Sequence, residues 1–256
     1  MRDGVVAQFL KNGLEMRLTN FRRGGDLRRP QGRMTMPNTK TLTTEPPPRN
    51  LKPLPREFYE PPADVVAPRL LGHWLVRNLP GGVCAGVIVE VEAYLTGDPA
   101  SHSFRGPTRR NQIMWGPPGY AYVYFIYGNH WCVNAVCQPP TVAEAVLIRA
   151  VEPKFGLEGM RARRELADER QMTNGPGKLC AALGIDGGLD GADLCSAGSP
   201  LFIAENPDVE TFLRERGPMI TSARIGIVKA AELPLRFYLA RSRYLSRRPA
   251  RVAGTK

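Results

Sequence analysis

The chain has 256 residues, 43% hydrophobic and 23% charged, enough for one large domain or two small ones and ordinary for a globular protein. Its formal charge of +11 is uneven: residues 1–50 carry ten Lys/Arg against four Asp/Glu, residues 241–256 six against none, and the body between them 19 against 20, so any attraction to a polyanion resides in two terminal arms. Five cysteines without a C-x-x-C pair and only three histidines argue against a disulfide framework or a zinc site, and the longest apolar-aromatic run, about eight residues, is far below the roughly 20 that a bilayer helix requires; without a secretory signal, the expectation is a cytoplasmic protein with no membrane partner and no metal.

Residues 1–53, rich in Arg, Gly and Thr and containing Glu45-Pro46-Pro47-Pro48-Arg49, have the composition of a disordered basic arm. Met34 and Met36 offer alternative starts within it. A folded domain is expected over 54–245, followed by a basic tail, 246–256. Ala63–Leu71 has helical spacing and ends at Gly72. Trp74–Arg77 and Cys84–Tyr94 read as strands joined at Pro80-Gly81-Gly82. A Gly-, Pro- and Arg-rich loop follows from Thr96 to Gly119. Tyr120–Tyr127, closed by Gly128-Asn129, reads as a strand, as do Cys132–Cys137 and Ala145–Val151. Gly156–Gln171 is expected as a charged helix and Gly177–Leu183 as a short one. Strands are expected between Pro200 and Arg241, including Arg224–Val228 and Leu235–Leu239. Strands clustered with few helices and no βαβ alternation predict an α+β single domain.

Four segments carry candidate chemistry. In Val87–Leu95, period-two alternation places Glu90, Glu92 and Tyr94 on one strand face, either as a general base with its neighbour or as a solvated outer face. Tyr120–Trp131 packs six aromatics and His130 into twelve residues. Such rings can stack bases, or simply fill a core, but a Tyr just before a Gly-Asn turn points outward. Arg149 sits in the apolar strand Ala145–Val151 and needs an acidic partner, Glu152 or another acid, unless it holds a phosphate or a catalytic water. Asn174-Gly175-Pro176-Gly177-Lys178 is a Gly-rich turn into a helix that suits a phosphate but is no Walker loop. His73 reads as structural.

In order, Val89–Tyr94, Ala100–Ser103, Arg110-Asn111, Tyr122–Gly128, Cys132–Asn134, Val146–Pro153, Gly175–Cys180, Arg224–Gly226 and Pro234–Tyr238 resemble the alkyladenine (3-methyladenine) DNA glycosylase family over roughly residues 57–245. The resemblance implies a mixed domain on a curved, mainly antiparallel sheet with flanking helices. It implies a monomeric enzyme without cofactor that flips alkylated, and in some cases deaminated, purines out of double-stranded DNA and leaves an abasic site. It assigns Glu92 as the base that activates water, with Arg149 and the main-chain carbonyl of Ile225 as the other holders of that water. Tyr94, His102, Tyr124 and Leu147 become contacts of the flipped base, and Asn134 the residue that rejects the 2-amino group of guanine. Tyr127 becomes the wedge left in the duplex, with Arg110, Asn111, Lys178 and Arg224 at the DNA. The loop His102–Asn111 is slightly shorter than in some relatives, which leaves the pairing of arginines with phosphates open.

Overall fold

The longest apolar alternation in the sequence becomes the longest strand, and that strand organises the sheet. The computed structural model describes residues 51–165 and 168–247. Of the arm expected over 1–53, residues 1–50 lie outside the described residues, while 51–53 join the domain through a bridge from Pro53 to Ala204. Of the tail expected over 246–256, Ser246 and Arg247 join the domain and the rest lies outside the described residues. The strands are β1 (Trp74–Leu79), β2 (Gly82–Tyr94), β3 (Ala121–Ile126), β4 (His130–Cys137), β5 (Glu144–Phe155), β6 (Leu201–Ala204), β7 (Met219–Ser222) and β8 (Arg236–Leu239). The helices are α1 (Ala63–Leu70), α2 (Leu157–Arg164), α3 (Pro176–Leu183) and α4 (Val209–Arg216). All strand pairs are antiparallel, in the order β3-β4-β5-β2-β1-β6. The sheet curls into a half-barrel, as expected of an α+β domain.

β5 runs along one edge of β2, while β1 and then β8 share the other. This register lines up one residue from each strand: Tyr122 faces Asn134, Asn134 faces Leu147, Leu147 faces Glu92 and Glu92 faces Arg236. Between Ile88 and Val91 the β2–β5 ladder slips twice, skipping Val89 on one strand and Arg149 on the other. Paired bulges of this kind bend strands and re-aim side chains. Here they bring Arg149 to the two glutamates.

α1 buries the i, i+3, i+4, i+7 set Ala63, Val66, Ala67 and Leu70 completely, against β2 and β5. Removing a side chain such as Leu70 from water contributes about 1.5–3 kcal/mol. The α1 N-terminus is tied down by Glu144, which accepts from the Ala63 N–H at 2.9 Å and the Thr96 N–H at 3.2 Å. α3 lays Leu179, Cys180, Ala182 and Leu183 on the side of the sheet formed by β4 and β5.

Three expectations change. The charged helix ends at Arg164, where Glu165 turns left-handed (φ +49°), and Glu169–Gln171 is a separate 3-10 turn. Val209–Arg216 is a helix rather than part of a run of strands; it follows Asn206-Pro207-Asp208 and buries Phe212. Arg224–Val228 is a loop, because Arg224 turns inward to Asp98 and no strand pairs with the segment. At the domain's edges, Lys52 accepts from the Glu205 N–H through its carbonyl, and Ser246 and Arg247 bond Glu90 and Arg236.

Gly86 leaves no room for a side chain against β5: a Cβ there would lie 2.8 Å from Val151 Cγ2 and 2.9 Å from the Glu152 carbonyl oxygen. Gly86→Ala is therefore expected to destabilise the domain by about 2 kcal/mol, a fall in Tm of roughly 4–8 °C, read by thermal unfolding.

Candidate active site

Glu90 and Glu92, which alternation left as either a chemical pair or a solvated face, are both fully buried. Two unpaired carboxylates could not lie there; two arginines neutralise them. Arg149 Nη1 donates to Glu92 Oε2 at 3.0 Å, and Arg149 Nε to Glu90 Oε1 at 3.1 Å. Arg236 Nε donates to the same Glu90 oxygen at 2.8 Å. Glu92 receives two further bonds, from the Tyr94 hydroxyl on Oε2 (3.0 Å) and from the Ile225 N–H on Oε1 (2.7 Å). The Ile225 carbonyl in turn accepts from Arg149 Nη1 at 3.4 Å. The partner of Arg149 is thus not Glu152, which pairs with Lys154 and Arg216. Burial works against the guanidinium charge of Arg149, but Glu92 and then Glu90 outweigh it, and its pKa stands above the ordinary arginine value.

In front of this cluster opens a cavity of about 300 Å³. Arg149 and Ile225 line its inner wall, with Glu92 immediately behind them. Tyr94, His102, Tyr122 and Tyr124 supply the aromatic surfaces, and Asn134 and Leu147 the floor, from the strand row described above. His102 bonds the Tyr122 hydroxyl through Nδ1 at 2.9 Å and meets the Tyr124 ring edge-on at 4.5 Å between centroids. Asn134 Nδ2 donates to the Tyr122 carbonyl at 3.0 Å, which fixes its amide in the floor. Burial raises the phenol of Tyr122 to about 12 and drives those of Tyr94 and Tyr124 well above their usual range, so all three remain neutral hydrogen-bonding surfaces. Cations lie against two of the rings: Arg224 at 4.7 Å from the centroid of Tyr94 and Arg110 at 5.4 Å from that of Tyr124.

Tyr127 stands at the rim of the cavity, 75% exposed, at the tip of the β3–β4 hairpin. Its φ is +55° and that of Gly128 +72°, with the Asn129 N–H bonded to the Ile126 carbonyl. This is the primed turn that suits a twisted hairpin, and glycine is at home in it. A tyrosine there is strained by roughly 1–2 kcal/mol. Beside the cavity is a second cleft of about 310 Å³, lined by Arg105, Arg110 and Lys229 among others.

The remaining residues singled out in the sequence separate by position. Arg110 is exposed and donates to the Phe125 carbonyl. Lys178, at the start of α3, bonds Asn174 Oδ1 at 2.9 Å. Asn111 and Arg224 are buried: Asn111 holds the 102–111 loop through the carbonyls of His102 and Gly106, and Arg224 clasps Asp98 and the Ala93 carbonyl. Neither reaches the surface, because burial leaves their polar groups facing protein rather than solvent. His73, expected to be structural, accepts from the Asn206 N–H. Arg236 and Ser246 complete the charged cluster without a role expected from the sequence. Arg236, a charge among apolar neighbours in its strand, carried the same signal as Arg149; Ser246 carried none.

A family model described as methylpurine-DNA glycosylase matches residues 57–243. The chain belongs to this family. A protein of Nitrobacter winogradskyi named "Putative 3-methyladenine DNA glycosylase" is 47% identical over 219 residues, 84% of this chain and 98% of its own length. One of the same name from Methanoculleus marisnigri is 50% identical over 195 residues, 76% of this chain and 99% of its own length. A third, from Carboxydothermus hydrogenoformans, is 44% identical over 195 residues, covering 76% and 99% respectively. The protein is accordingly a DNA glycosylase, a hydrolase of N-glycosyl compounds in DNA repair. Among the described residues no group of three or more His, Cys, Asp or Glu is placed to hold a metal ion, and none of the described helices is long and apolar enough to cross a membrane.

Burial lowers the pKa of His102, with Arg110 adding to the effect, and burial likewise lowers that of His73. Both imidazoles are therefore harder to protonate in the fold than in the unfolded chain. As pH falls through about 6.5 the unfolded chain takes up protons that the folded chain does not, so the stability is complete above that pH and declines below it. The carboxylate of Glu152, held below its usual range, adds its loss only at lower pH. The urea midpoint is expected to fall between pH 7.5 and pH 5.5, and the combined His73→Gln and His102→Gln variant to show a shallower decline.

Proposed function

We propose that this glycosylase removes alkylated purines from double-stranded DNA, and that Glu92 is the base that activates the attacking water. One observation carries this reading: a buried carboxylate lies directly behind a purine-sized aromatic cavity, with Arg149 Nη1 and the Ile225 main chain bridging the two. A water on that wall would find Arg149 as donor, the Ile225 carbonyl as acceptor and Glu92 as the eventual home of its proton. The same carboxylate offsets positive charge that develops on the sugar as the bond to the base stretches. A cationic alkylated purine departs neutral and needs little protonation, so a single acid serves.

Selectivity follows from the walls. The aromatic rings of Tyr94, Tyr122 and Tyr124 on the cavity wall favour electron-poor, cationic bases. Asn134, fixed by Tyr122, crowds the floor where an exocyclic 2-amino group would point. The target nucleotide must leave the stack to enter such a cavity, and Tyr127 at the rim is shaped to occupy the gap. Arg110 and Lys178, with Arg105 and Lys229 in the adjoining cleft, supply positive charge for the phosphates. Among the described residues no lysine lines the cavity, which favours simple hydrolysis to an intact abasic site over covalent amine chemistry. The protein acts as a monomer on its DNA in this reading.

Replacing Glu92 by Gln is expected to slow single-turnover base release from methylated DNA by at least about a hundredfold, while affinity for a duplex with an abasic-site analogue changes by less than about tenfold. Base release at the parent rate would remove Glu92 from the role. For Tyr127→Ala, the expected loss of excision on duplex DNA exceeds that on single strands, since only a duplex has a gap to fill; equal losses in parallel assays would make Tyr127 a folding residue.

A further inference from the structure

Glu90 has no place in the hydrolysis described above, yet its buried carboxylate collects four donors. Arg149 Nε, Arg236 Nε (2.8 Å) and the Ser246 hydroxyl (2.6 Å) converge on Oε1, and the Ser246 N–H (2.6 Å) reaches Oε2. A carboxylate engaged in this way has little capacity left to take a proton from water. Its neighbour in the cluster is Arg149, and the contacts of Arg149 divide along the guanidinium. Nε meets Glu90 and, at 3.4 Å, Ser246 Oγ; Nη2 meets Ser246 Oγ at 3.2 Å; Nη1 alone reaches Glu92 and the Ile225 carbonyl.

We propose that the segment 242–247 is part of the active site, and that Glu90 and Ser246 are positioning residues that set the plane of the Arg149 guanidinium beside Glu92. The proposal rests on the reading of Glu92 as the base. A guanidinium is a rigid planar fork, so fixing its Nε and Nη2 corners fixes the direction in which Nη1 points. Ser246 is suited to this because its hydroxyl accepts from Arg149 and donates to Glu90 at once. Glu90 also shares the charge of Arg149, which would otherwise bear wholly on Glu92. The segment is anchored independently of these bonds: Leu245 is buried, Tyr244 packs on the core, and Arg236 Nη2 donates to the Arg247 carbonyl at 3.0 Å. Losing one hydroxyl therefore should not detach it.

The test uses the full chain with Ser246→Ala and Ser246→Thr. Single-turnover release of bases from dimethyl sulfate-treated DNA is measured at saturating enzyme, and affinity is measured on a duplex carrying a tetrahydrofuran abasic-site analogue. Ser246→Ala is expected to lower the rate about tenfold with affinity changed less than about twofold and Tm nearly unchanged, and Ser246→Thr, which keeps the hydroxyl, to recover to within about threefold of the parent. A Ser246→Ala rate equal to that of the parent overturns the proposal. So does a rate loss matched by an equal affinity loss, or a Ser246→Thr variant as slow as Ser246→Ala. A parent chain that releases no base sinks the assignment of Glu92, and this proposal with it; a parent that excises alongside an unimpaired Ser246→Ala variant overturns the positioning role alone.

Discussion

Four side chains of opposite charge, Glu90, Glu92, Arg149 and Arg236, lie almost wholly out of water between β2, β5 and β8. Each would carry a desolvation cost of several kcal/mol if left alone, and removing one partner from such a set typically costs about 3–5 kcal/mol. The arrangement holds because every charge meets its opposite at hydrogen-bond distance and the carboxylates' remaining acceptor sites are filled by donors from Tyr94, Ile225 and Ser246. The fold and the site are therefore not separate problems. The paired bulges that skip Val89 and Arg149 bring the arginine to the glutamates, and the cavity opens where that cluster meets the aromatic row.

The aromatic hairpin answers a different constraint. A turn with two positive φ values asks for Asn or Gly at its first position, and the chain places Tyr127 there. Nothing in the packing of the hairpin compensates, since the ring stands in solvent. Local stability is given up for a large, rigid, outward-pointing ring. Such strain is common where a backbone must present one side chain at a fixed angle. The neighbouring Phe125–Trp131 pair, 4.8 Å apart, keeps the stem stiff beneath it.

Much of this was legible in the chain. Period-two alternation located β2 and put Glu90 and Glu92 on a common face, and an arginine among apolar strand residues announced a buried ion pair. What alternation could not tell was the partner. Glu152 is three residues from Arg149 in the sequence, whereas Glu90 and Glu92 are about sixty away and meet it only through the register of β2 on β5. Helix α4 leaves little signal in the sequence because its apolar set is thin, with Phe212 its one buried side chain. Arg224–Val228 imitated a strand because Ile225 and Ile227 alternate; they face a cavity instead of a neighbouring strand. Ser246 is invisible to pattern of any kind, being a single serine placed by tertiary contact.

The division of one edge of β2 between β1 and β8 has a kinetic side. β1 precedes β2 by a two-residue turn, so that half of the edge closes locally; the other half waits for residues 236–239, about 150 positions downstream. Contacts so distant in sequence form late and slowly, because the closing loop must lose its freedom first. On a ribosome, a nascent chain lacking β8 would already hold Glu90 and Glu92 on an open strand edge, with Arg236 and Ser246 still to be synthesised. The arrival of the last strand would then complete that edge of the sheet and bring Arg236 to Glu90, adding the second positive charge to a cluster that Arg149 has already half neutralised.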